Sequence, residues 1–214
     1  MSKLILESLN RDRLEVFEKL KAFNKIGILG GGTALALQIG HRLSYDFDIF
    51  TSEKISPQLW SKSRKIFGKY SYKTLDKDYQ LNLVTPKSIY ITFFYDEDYK
   101  SIFKPIKTGS IDLMDIRDIA ANKAYTIGRR PKWRDYVDVY FLIKEKYITI
   151  NEIVSFSKRK FGRGFNEKLF LEQLIYWNDI KNYKIKYIGK KIEPEKIKKF
   201  LMVVAKNFTS KALG

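Results

Sequence analysis

The sequence has no cysteine and only one histidine, His41, among its 214 residues. These absences exclude disulfides, thiol nucleophiles, zinc sites built on thiolates and metal sites with several imidazole ligands. The longest stretch without a formally charged residue, 26–41, contains three consecutive glycines and is shorter than the roughly 20 apolar residues of a membrane span. The amino-terminal segment mixes acidic and basic side chains, unlike a secretory signal. We therefore expect a soluble cytoplasmic protein, without membrane contact, whose chemistry depends on carboxylates, hydroxyls, lysine and arginine.

Basic side chains outnumber acidic ones by 41 to 24, which gives a formal net charge of +17. The excess is uneven, because residues 1–112 hold 18 basic and 13 acidic side chains (+5) and residues 113–214 hold 23 and 11 (+12). A field of this sign attracts polyanions such as nucleic acids. A lysine-rich composition also arises from an AT-biased genome and a solvated surface, so charge alone does not decide between the two explanations.

Hydrophobic periodicity divides the chain into a mixed α/β part and a helical part. In the first part we predict helices at 4–23, 34–39 and 57–69, strands at 26–29, 47–51, 79–84 and 88–95, and a weaker strand within 106–114. In the second part we predict helices at 115–127, 133–145, 150–160, 166–179 and 194–207, the first of them ending at Gly128. The pattern predicts an α+β protein with domains at 1–112 and 113–214, which we expect to pack together because no Gly/Ser linker separates them.

The first group of candidate site residues follows the strand at 26–29. Three glycines at 30–32 lead to Thr33, which we expect to cap the short helix; glycine lets a backbone approach phosphate, and helix-terminal amides bind its oxygens. Asp46 and Asp48 are two residues apart at the start of the next strand, so both carboxylates face one side. Two carboxylates suit Mg²⁺, which keeps waters and takes phosphate oxygens as further ligands. A tight turn and two solvated aspartates would explain the same residues without a ligand.

Other glycine motifs do not fit this spacing. A Walker loop needs lysine and then serine or threonine after its last glycine, but Gly32 is followed by Thr33 and Ala34. A dinucleotide-binding fingerprint that starts at Gly30 needs a small residue at the position of Leu35.

The second group of candidate residues lies in the helical part. Lys123 falls within the helix at 115–127, and Asp135 and Asp138 are three residues apart on one face of the helix at 133–145. An ordinary structural explanation is also available, in which Asp135 caps its helix or balances the amino terminus, Arg134 is solvated and Lys123 lies on an exposed face.

Together, these two regions resemble a known family. GGGTALALQIGHRLSYDFDIF (30–50) and ANKAYTIGRRPKWRDYVDVYFLI (121–143) are similar to the AbiEii/AbiGii family of nucleotidyltransferase toxins, within the polymerase-β-like nucleotidyltransferase superfamily, and to MenT-type toxins. The segment FLEQLIYWNDI (170–180) and the terminal amphipathic helix look like that family's helical domain, so the resemblance extends over essentially the whole chain. It implies a mixed sheet flanked by helices and followed by a helical domain.

The resemblance assigns roles to the glycine turn and the aspartates. It implies that Gly31, Gly32 and Thr33 contact the phosphates of a nucleoside triphosphate. It also implies that Asp46 and Asp48 bind Mg²⁺ or Mn²⁺.

The resemblance implies further roles for the helical part. Lys123 matches the lysine that contacts the triphosphate, and Asp135 and Asp138 both match the Arg-Asp-x-x-Asp element, in which one carboxylate is needed for activity. We favour Asp138, as a residue that orients or deprotonates the nucleophile, because Asp135 is more easily explained as a cap.

One position departs from the superfamily pattern. Many members carry a third carboxylate on a later central strand, where this sequence has Thr92. Asp96, Glu97 and Asp98 come after the end of that strand, where a turn explains them.

The resulting functional hypothesis is a toxin of a type IV toxin–antitoxin or abortive-infection system. It would transfer a nucleoside monophosphate to an RNA acceptor, for which the resemblance implies a tRNA 3′ end, and it would have a cognate antitoxin. Aromatic and lysine residues interleaved at 176–191 can stack on unpaired bases or simply pack within the protein. The alternatives are transfer to a protein or a small molecule, and a non-catalytic module that binds nucleotide or RNA.

Overall fold

A computed structural model of the chain describes residues 4–127 and 129–212. The chain divides into two compact units, one ending at Asp115 and the other beginning at Ile116. No helix among the described residues is long and apolar enough to cross a membrane.

The first unit contains a five-stranded mixed sheet and three α-helices. The helices are α1 (Arg11–Lys19), α2 (Gly31–Ile39) and α3 (Gln58–Phe67). The strands are β1 (Gly27–Leu29), β2 (Phe47–Thr51), β3 (Tyr72–Lys77), β4 (Gln80–Val84) and β5 (Tyr90–Phe94). Their spatial order is β1-β2-β5-β4-β3, in which β2 and β5 run parallel and the other neighbours antiparallel.

One face of this sheet forms the core of the first unit. Strands β2, β4 and β5 alternate buried apolar residues with half-buried ones, as expected for a sheet with a single fully covered face. Phe23 lies over the buried face, where its ring stacks on Phe67 at 5.5 Å and contacts Phe93 at 5.1 Å. The opposite face carries half-buried polar side chains, among them those of Asp48 and Asn82.

The second unit is helical. Its helices are α4 (Ile116–Ile127), α5 (Trp133–Lys144), α6 (Ile150–Phe161), α7 (Glu167–Leu174) and α8 (Pro194–Ala212). Helix α6 begins with a capping box, since the Thr149 side chain accepts from the Glu152 amide and the Glu152 carboxylate accepts from the Thr149 amide. The core includes the fully buried Val137, Leu142, Ile197 and Leu201.

These observations confirm the predicted α+β class with a mixed sheet flanked by helices. The domain boundary was predicted after residue 112, and the two compact units of the structure meet after Asp115 in the sequence. The predicted end of the first helix of the second unit, at Gly128, lies outside the described residues.

The predicted helix at 4–23 is wrong as a single element. It consists of a 3₁₀ turn at Leu6–Ser8, α1, and a second 3₁₀ turn at Leu20–Phe23. The break occurs at Asn10, whose side chain accepts a 3.0 Å hydrogen bond from the Arg13 amide and so starts α1 there.

Strand β3 was not predicted, because its side chains are mostly exposed at the sheet edge and show no apolar alternation. The weak strand within 106–114 forms only isolated bridges, in which Leu113 pairs with Leu29 and Ile106.

The predicted helix at 166–179 ends earlier, at Leu174. There the Tyr136 hydroxyl lies 3.0 and 3.2 Å from the carbonyl oxygens of Gln173 and Tyr176, groups that a continuing helix would use itself.

A buried ion pair links α4 to α6. The Lys160 ammonium lies 2.8 Å from an Asp118 carboxylate oxygen, and both side chains are completely buried. Burial lowers the pKa of Lys160, while the attraction and hydrogen bond of Asp118 oppose this shift. Removing one member of such a pair takes away an attraction that offsets the cost of burying the other charge, so it costs more than removing both.

We therefore predict that Lys160→Met lowers the free energy of unfolding by about 3 kcal/mol. The double variant Lys160→Met/Asp118→Leu should recover most of this loss. Urea unfolding followed by circular dichroism measures both values. Lys158→Met is the matched control on the same helix, since Lys158 is exposed and pairs with Glu167 at the surface. Equal losses in the single and double variants would contradict the prediction.

Candidate active site

The glycine turn brings the start of α2 against strand β2. Gly31 has a φ of +63°, which disfavours any residue with a side chain. A Cβ atom on Gly31 would lie 2.6 Å from Asp48 Oδ2, and one on Gly30 would lie 2.5 Å from the Phe50 ring. The backbone of 30–31 can approach β2 this closely only because both residues are glycine.

Gly32 lies against a second pair of side chains. A Cβ atom there would be 2.6 Å from Arg42 Nη2 and 3.2 Å from Ser44 Oγ. Arg42 and Ser44 are both buried, and the sequence analysis did not identify either of them. The only hint in the sequence that they belong to the site is their position just before Asp46 and Asp48.

Thr33 does not cap the helix, contrary to the prediction. Helix α2 begins at Gly31 with Gly30 at the N-cap position, which places Thr33 inside the first turn. Its hydroxyl donates a hydrogen bond to the Asp46 carbonyl oxygen and lies 2.9 Å from Ser44 Oγ. Thr33 therefore links the first turn of α2 to the main chain of Asp46. As in any α-helix, the first three amides of α2 have no acceptor within the helix itself.

Asp46 and Asp48 lie where the sequence alternation placed them. Phe47 and Ile49 are completely buried, whereas both aspartates are half-buried on the opposite side of the chain. Asp48 also lies close to Gly31, the first residue of α2. Its carboxylate is therefore beside the amino-terminal amides of that helix.

The neighbouring strands continue the row of polar side chains. Asp48 is opposite Thr92 on β5, and Thr92 is opposite Asn82 on β4. Thr92 thus occupies the position beside Asp48 on the parallel strand. Asp96 instead caps the 3₁₀ turn Glu97–Tyr99, where its side chain accepts from the Asp98 amide at 2.9 Å.

The donor set on this face fits a cation that takes most of its ligands from substrate and water. The described residues contain no cluster of three or more His, Cys, Asp or Glu side chains arranged to hold a metal. Mg²⁺ is commonly bound by one or two carboxylates together with substrate phosphates and several waters. Asp46 and Asp48 meet that requirement beside a helix terminus suited to phosphate.

In the second unit, Lys123, Asp135 and Asp138 form one buried cluster. The Lys123 ammonium lies 2.6 Å from Asp135 Oδ1 and 2.7 Å from Asp138 Oδ2. Lys123 is 5% exposed and both aspartates are 0% exposed. Arg130, which the sequence analysis did not single out, adds a 3.1 Å contact from Nε to Asp135 Oδ2. The structure therefore brings these three predicted residues together.

Two parts of the ordinary explanation for this group are wrong, whereas Asp135 does lie in the first turn of α5, where a carboxylate balances the amino terminus of a helix. Lys123 does not lie on an exposed face, and Asp135 does not cap α5, whose N-cap is Lys132 without a side-chain hydrogen bond. Burial raises the pKa of Asp135, but the charges of Lys123 and Arg130 and the Lys123 hydrogen bond outweigh it, so the net pKa is lowered. Asp135 is thus held as a carboxylate, and the argument that favoured Asp138 over it no longer applies.

Two of the four aromatic side chains of 176–191 make ring contacts within the second unit. The Tyr183 ring lies 4.9 Å from the Trp133 ring, and the Tyr187 ring lies 6.2 Å from that of Phe141. Tyr176 is 40% exposed. Packing within the protein, one of the two readings of this segment, accounts for Tyr183 and Tyr187.

Similar proteins include one relative by sequence and several by structure. No protein-family model matches the sequence. The uncharacterized protein aq_aa25 of Aquifex aeolicus is 28% identical over 181 residues, which cover 81% of this chain and 85% of that protein.

Three solved structures share the fold over nearly the whole chain. JHP933 of Helicobacter pylori has a TM-score of 0.62 at 20% identity, covering 96% of this chain and 93% of its own. A proposed nucleotidyltransferase of Helicobacter pylori has a TM-score of 0.60 at 19% identity, with coverages of 95% and 97%. The nucleotidyltransferase toxin MenT4 of Mycobacterium tuberculosis has a TM-score of 0.59 at 13% identity, with coverages of 92% and 82%.

These likenesses confirm the predicted resemblance at the level of the fold. At such identities a shared structure establishes architecture, and function must be argued from the site. The chain has the fold of the nucleotidyltransferases, with a glycine turn after β1, Asp46 directly before β2 and Asp48 within it.

Proposed function

We propose that this chain is a metal-dependent nucleotidyltransferase that transfers a nucleoside monophosphate from a nucleoside triphosphate to an RNA acceptor and releases pyrophosphate. The observation that carries the proposal is the contact between Gly31 and Asp48. It places a carboxylate beside helix-terminal amides, so one position offers ligands for a divalent cation and for phosphate oxygens.

Asp46 and Asp48 are the residues that would hold Mg²⁺ or Mn²⁺. The bound ion would supply positive charge to the phosphate oxygens and to the pyrophosphate leaving group. The amides of Gly31, Gly32 and Thr33 would bind phosphate oxygens through the unsatisfied donors of the first helical turn.

The reaction is a displacement at the α-phosphorus of the triphosphate. The acceptor hydroxyl oxygen forms a bond to this phosphorus, and the bond from phosphorus to the oxygen that bridges the α- and β-phosphates breaks. Pyrophosphate leaves with the electron pair of that bond, and the hydroxyl proton passes to solvent. The chain's contribution is to position the triphosphate and to favour the negative charge that develops.

In the second unit, Lys123 is proposed to contact the triphosphate. An ammonium has three N–H donors, and the two short contacts to Asp135 and Asp138 leave one for a phosphate oxygen. Asp138 is completely buried, and its carboxylate is engaged by the Lys123 ammonium at 2.7 Å. We therefore assign Asp138 as a positioning residue for Lys123 rather than as a base.

The resemblance to MenT-type toxins and the shared fold of MenT4 support a proposal for the biological role. We propose a cytoplasmic toxin with a cognate antitoxin and a tRNA 3′ end as the acceptor. The +12 charge of residues 113–214 supports a polyanionic acceptor, since phosphate contacts supply most sequence-independent affinity.

We predict that the purified protein labels total tRNA when it is incubated with Mg²⁺ and one of the four labelled nucleoside triphosphates. Asp48→Asn should reduce the transfer rate at least about 100-fold, because it removes the charge that holds the cation. Asp76→Asn, at an exposed aspartate of β3 paired with Lys73, is the matched control and should leave the rate unchanged.

Other outcomes of this assay would replace the proposal. Label in protein or in a small molecule would favour a different acceptor. Tight nucleotide or RNA binding without any transfer would favour a non-catalytic module. A wild-type transfer rate in Asp48→Asn would show that Asp48 does not hold the catalytic metal.

We predict that Asp138→Asn lowers kcat about 100-fold in the folded protein, because the Lys123 ammonium loses one of the two carboxylates that orient it, and that it also lowers the free energy of unfolding as Asp135→Asn does. Single-turnover rates and urea unfolding separate the two effects. Asp179→Asn, an exposed aspartate of the same unit, is the control. Normal kcat in a folded Asp138→Asn protein would exclude the positioning role.

We predict that Asp135→Asn mainly lowers stability, and does so in a pH-dependent way. The folded pKa of Asp135 lies below its ordinary value of 3.8, so its charge stabilises the folded state above that pH. The stabilisation is lost as the pH falls below 3.8 toward the folded pKa. The difference in unfolding free energy between wild type and variant, about 3 kcal/mol near neutrality, should therefore shrink at acid pH. A difference that stays constant from neutral to acid pH would contradict this.

A further inference from the structure

Two adjoining cavities of the first unit form a continuous groove beside β1 and the carboxyl end of β2. One has a volume of about 420 Å³, and its lining includes Phe50, Tyr99 and Lys100. The other has a volume of about 290 Å³, and its lining includes Lys54 and Lys62. Both cavities share the wall formed by 25–26 and 51–52. We call this combined depression the β1–β2 groove.

One end of the β1–β2 groove is aromatic. The Phe50 and Tyr99 rings are stacked, with centroids 5.8 Å apart and planes at 22°. Phe94 supports both rings edge-on, at 5.8 Å from Phe50 and 5.7 Å from Tyr99. Ser101 adds a buried hydroxyl without a hydrogen-bond partner in the described structure. Rings braced in this way offer a surface on which a nucleobase can stack.

The rest of the β1–β2 groove is cationic. Its lining contains four lysines and one acidic residue, Glu53, a local charge of +3. The four lysines are all exposed, at positions Lys25, Lys54, Lys62 and Lys100. A groove that combines lysines with an aromatic surface matches single-stranded nucleic acid, whose phosphates follow the charge while its bases stack.

The groove also begins close to the proposed catalytic face. Phe50 is two residues beyond Asp48 on β2, and alternate residues of a strand share a face at a separation of roughly 7 Å. A base stacked at Phe50 thus lies about one nucleotide from the carboxylate.

We propose that the β1–β2 groove binds a single-stranded segment of the acceptor RNA, with a base on the Phe50–Tyr99 surface and phosphates on the lysines. This inference rests on the proposed nucleotidyl transfer for its choice of ligand. It assigns part of acceptor recognition to the less basic half of the chain.

The test measures fluorescence anisotropy of a short, unstructured, fluorescein-labelled RNA with the full-length protein, without nucleotide or Mg²⁺. Lys25→Ala/Lys62→Ala should weaken binding and lower the slope of log affinity against log salt by about 1.4, since each single-strand phosphate contact contributes about 0.7. Lys65→Ala/Lys77→Ala removes the same charge from exposed positions outside the groove and should leave both the low-salt affinity and the slope nearly unchanged.

The aromatic end is tested separately. Tyr99→Leu should weaken binding roughly ten-fold, because it removes a stacking ring. Tyr99→Phe, which keeps the ring, should bind like wild type, and this pair separates stacking from any effect on folding. Tyr70→Leu, at a 75% exposed tyrosine outside the groove, is the control.

Two results would overturn the inference. Equal weakening by the two double-lysine variants would mean that RNA binds diffusely through net charge. Displacement of RNA by polyglutamate, combined with normal binding by Tyr99→Leu, would mean that the groove accepts an acidic protein segment instead. Asp48→Asn should bind the RNA as wild type does. The binding assay therefore tests the groove, and the transfer assay separately tests the proposed reaction.

Discussion

The close approach of the glycine backbone at 30–32 to the chain that enters β2 is the constraint on which the candidate site depends. Added Cβ atoms at Gly30 and Gly31 would lie 2.5 Å from the Phe50 ring and 2.6 Å from the Asp48 carboxylate, so side chains at these two positions would disrupt the close contact between the start of α2 and β2. The hydrogen bond from Thr33 to the Asp46 carbonyl oxygen fixes the same contact from the helix side. Amide donors and carboxylates are thereby held beside each other before any ligand arrives, which is the preorganisation that electrostatic catalysis requires.

The second unit applies a different constraint, which is the burial of charge. Helix α4 carries both Asp118, paired with Lys160, and Lys123, held between Asp135 and Asp138. Buried charges lose hydration that their partners only partly replace, so such pairs are weak evidence for stability. A lysine with short contacts to two buried carboxylates is nevertheless well oriented, because its ammonium cannot change position without breaking one of those contacts. The arrangement is therefore better explained by positioning than by stabilisation.

The number of charged residues along the sequence only partly indicates where a basic surface lies. The count places most of the excess charge in residues 113–214, and that remains a reason to expect a polyanionic acceptor. The β1–β2 groove, however, collects four lysines in the half that is nearly balanced overall. Lys25 and Lys100 are distant in sequence and line one cavity only after the chain has folded.

The sequence by itself determined the features that depend on neighbouring residues. These are the strand alternation that buries Phe47 and turns Asp48 to the opposite side, the glycine turn, and the order of strands followed by helices, whereas the mixed sheet was implied by the family resemblance. Tertiary structure alone decided the break at Asn10, the edge strand β3, the place of Thr33 inside α2 and the burial of Lys123. Asp135 shows the reason: near a helix start, a local reading makes it a cap, but its carboxylate points to a lysine and an arginine from outside its own helix. Periodicity records which face a residue occupies, whereas its partner depends on which other elements pack against that face.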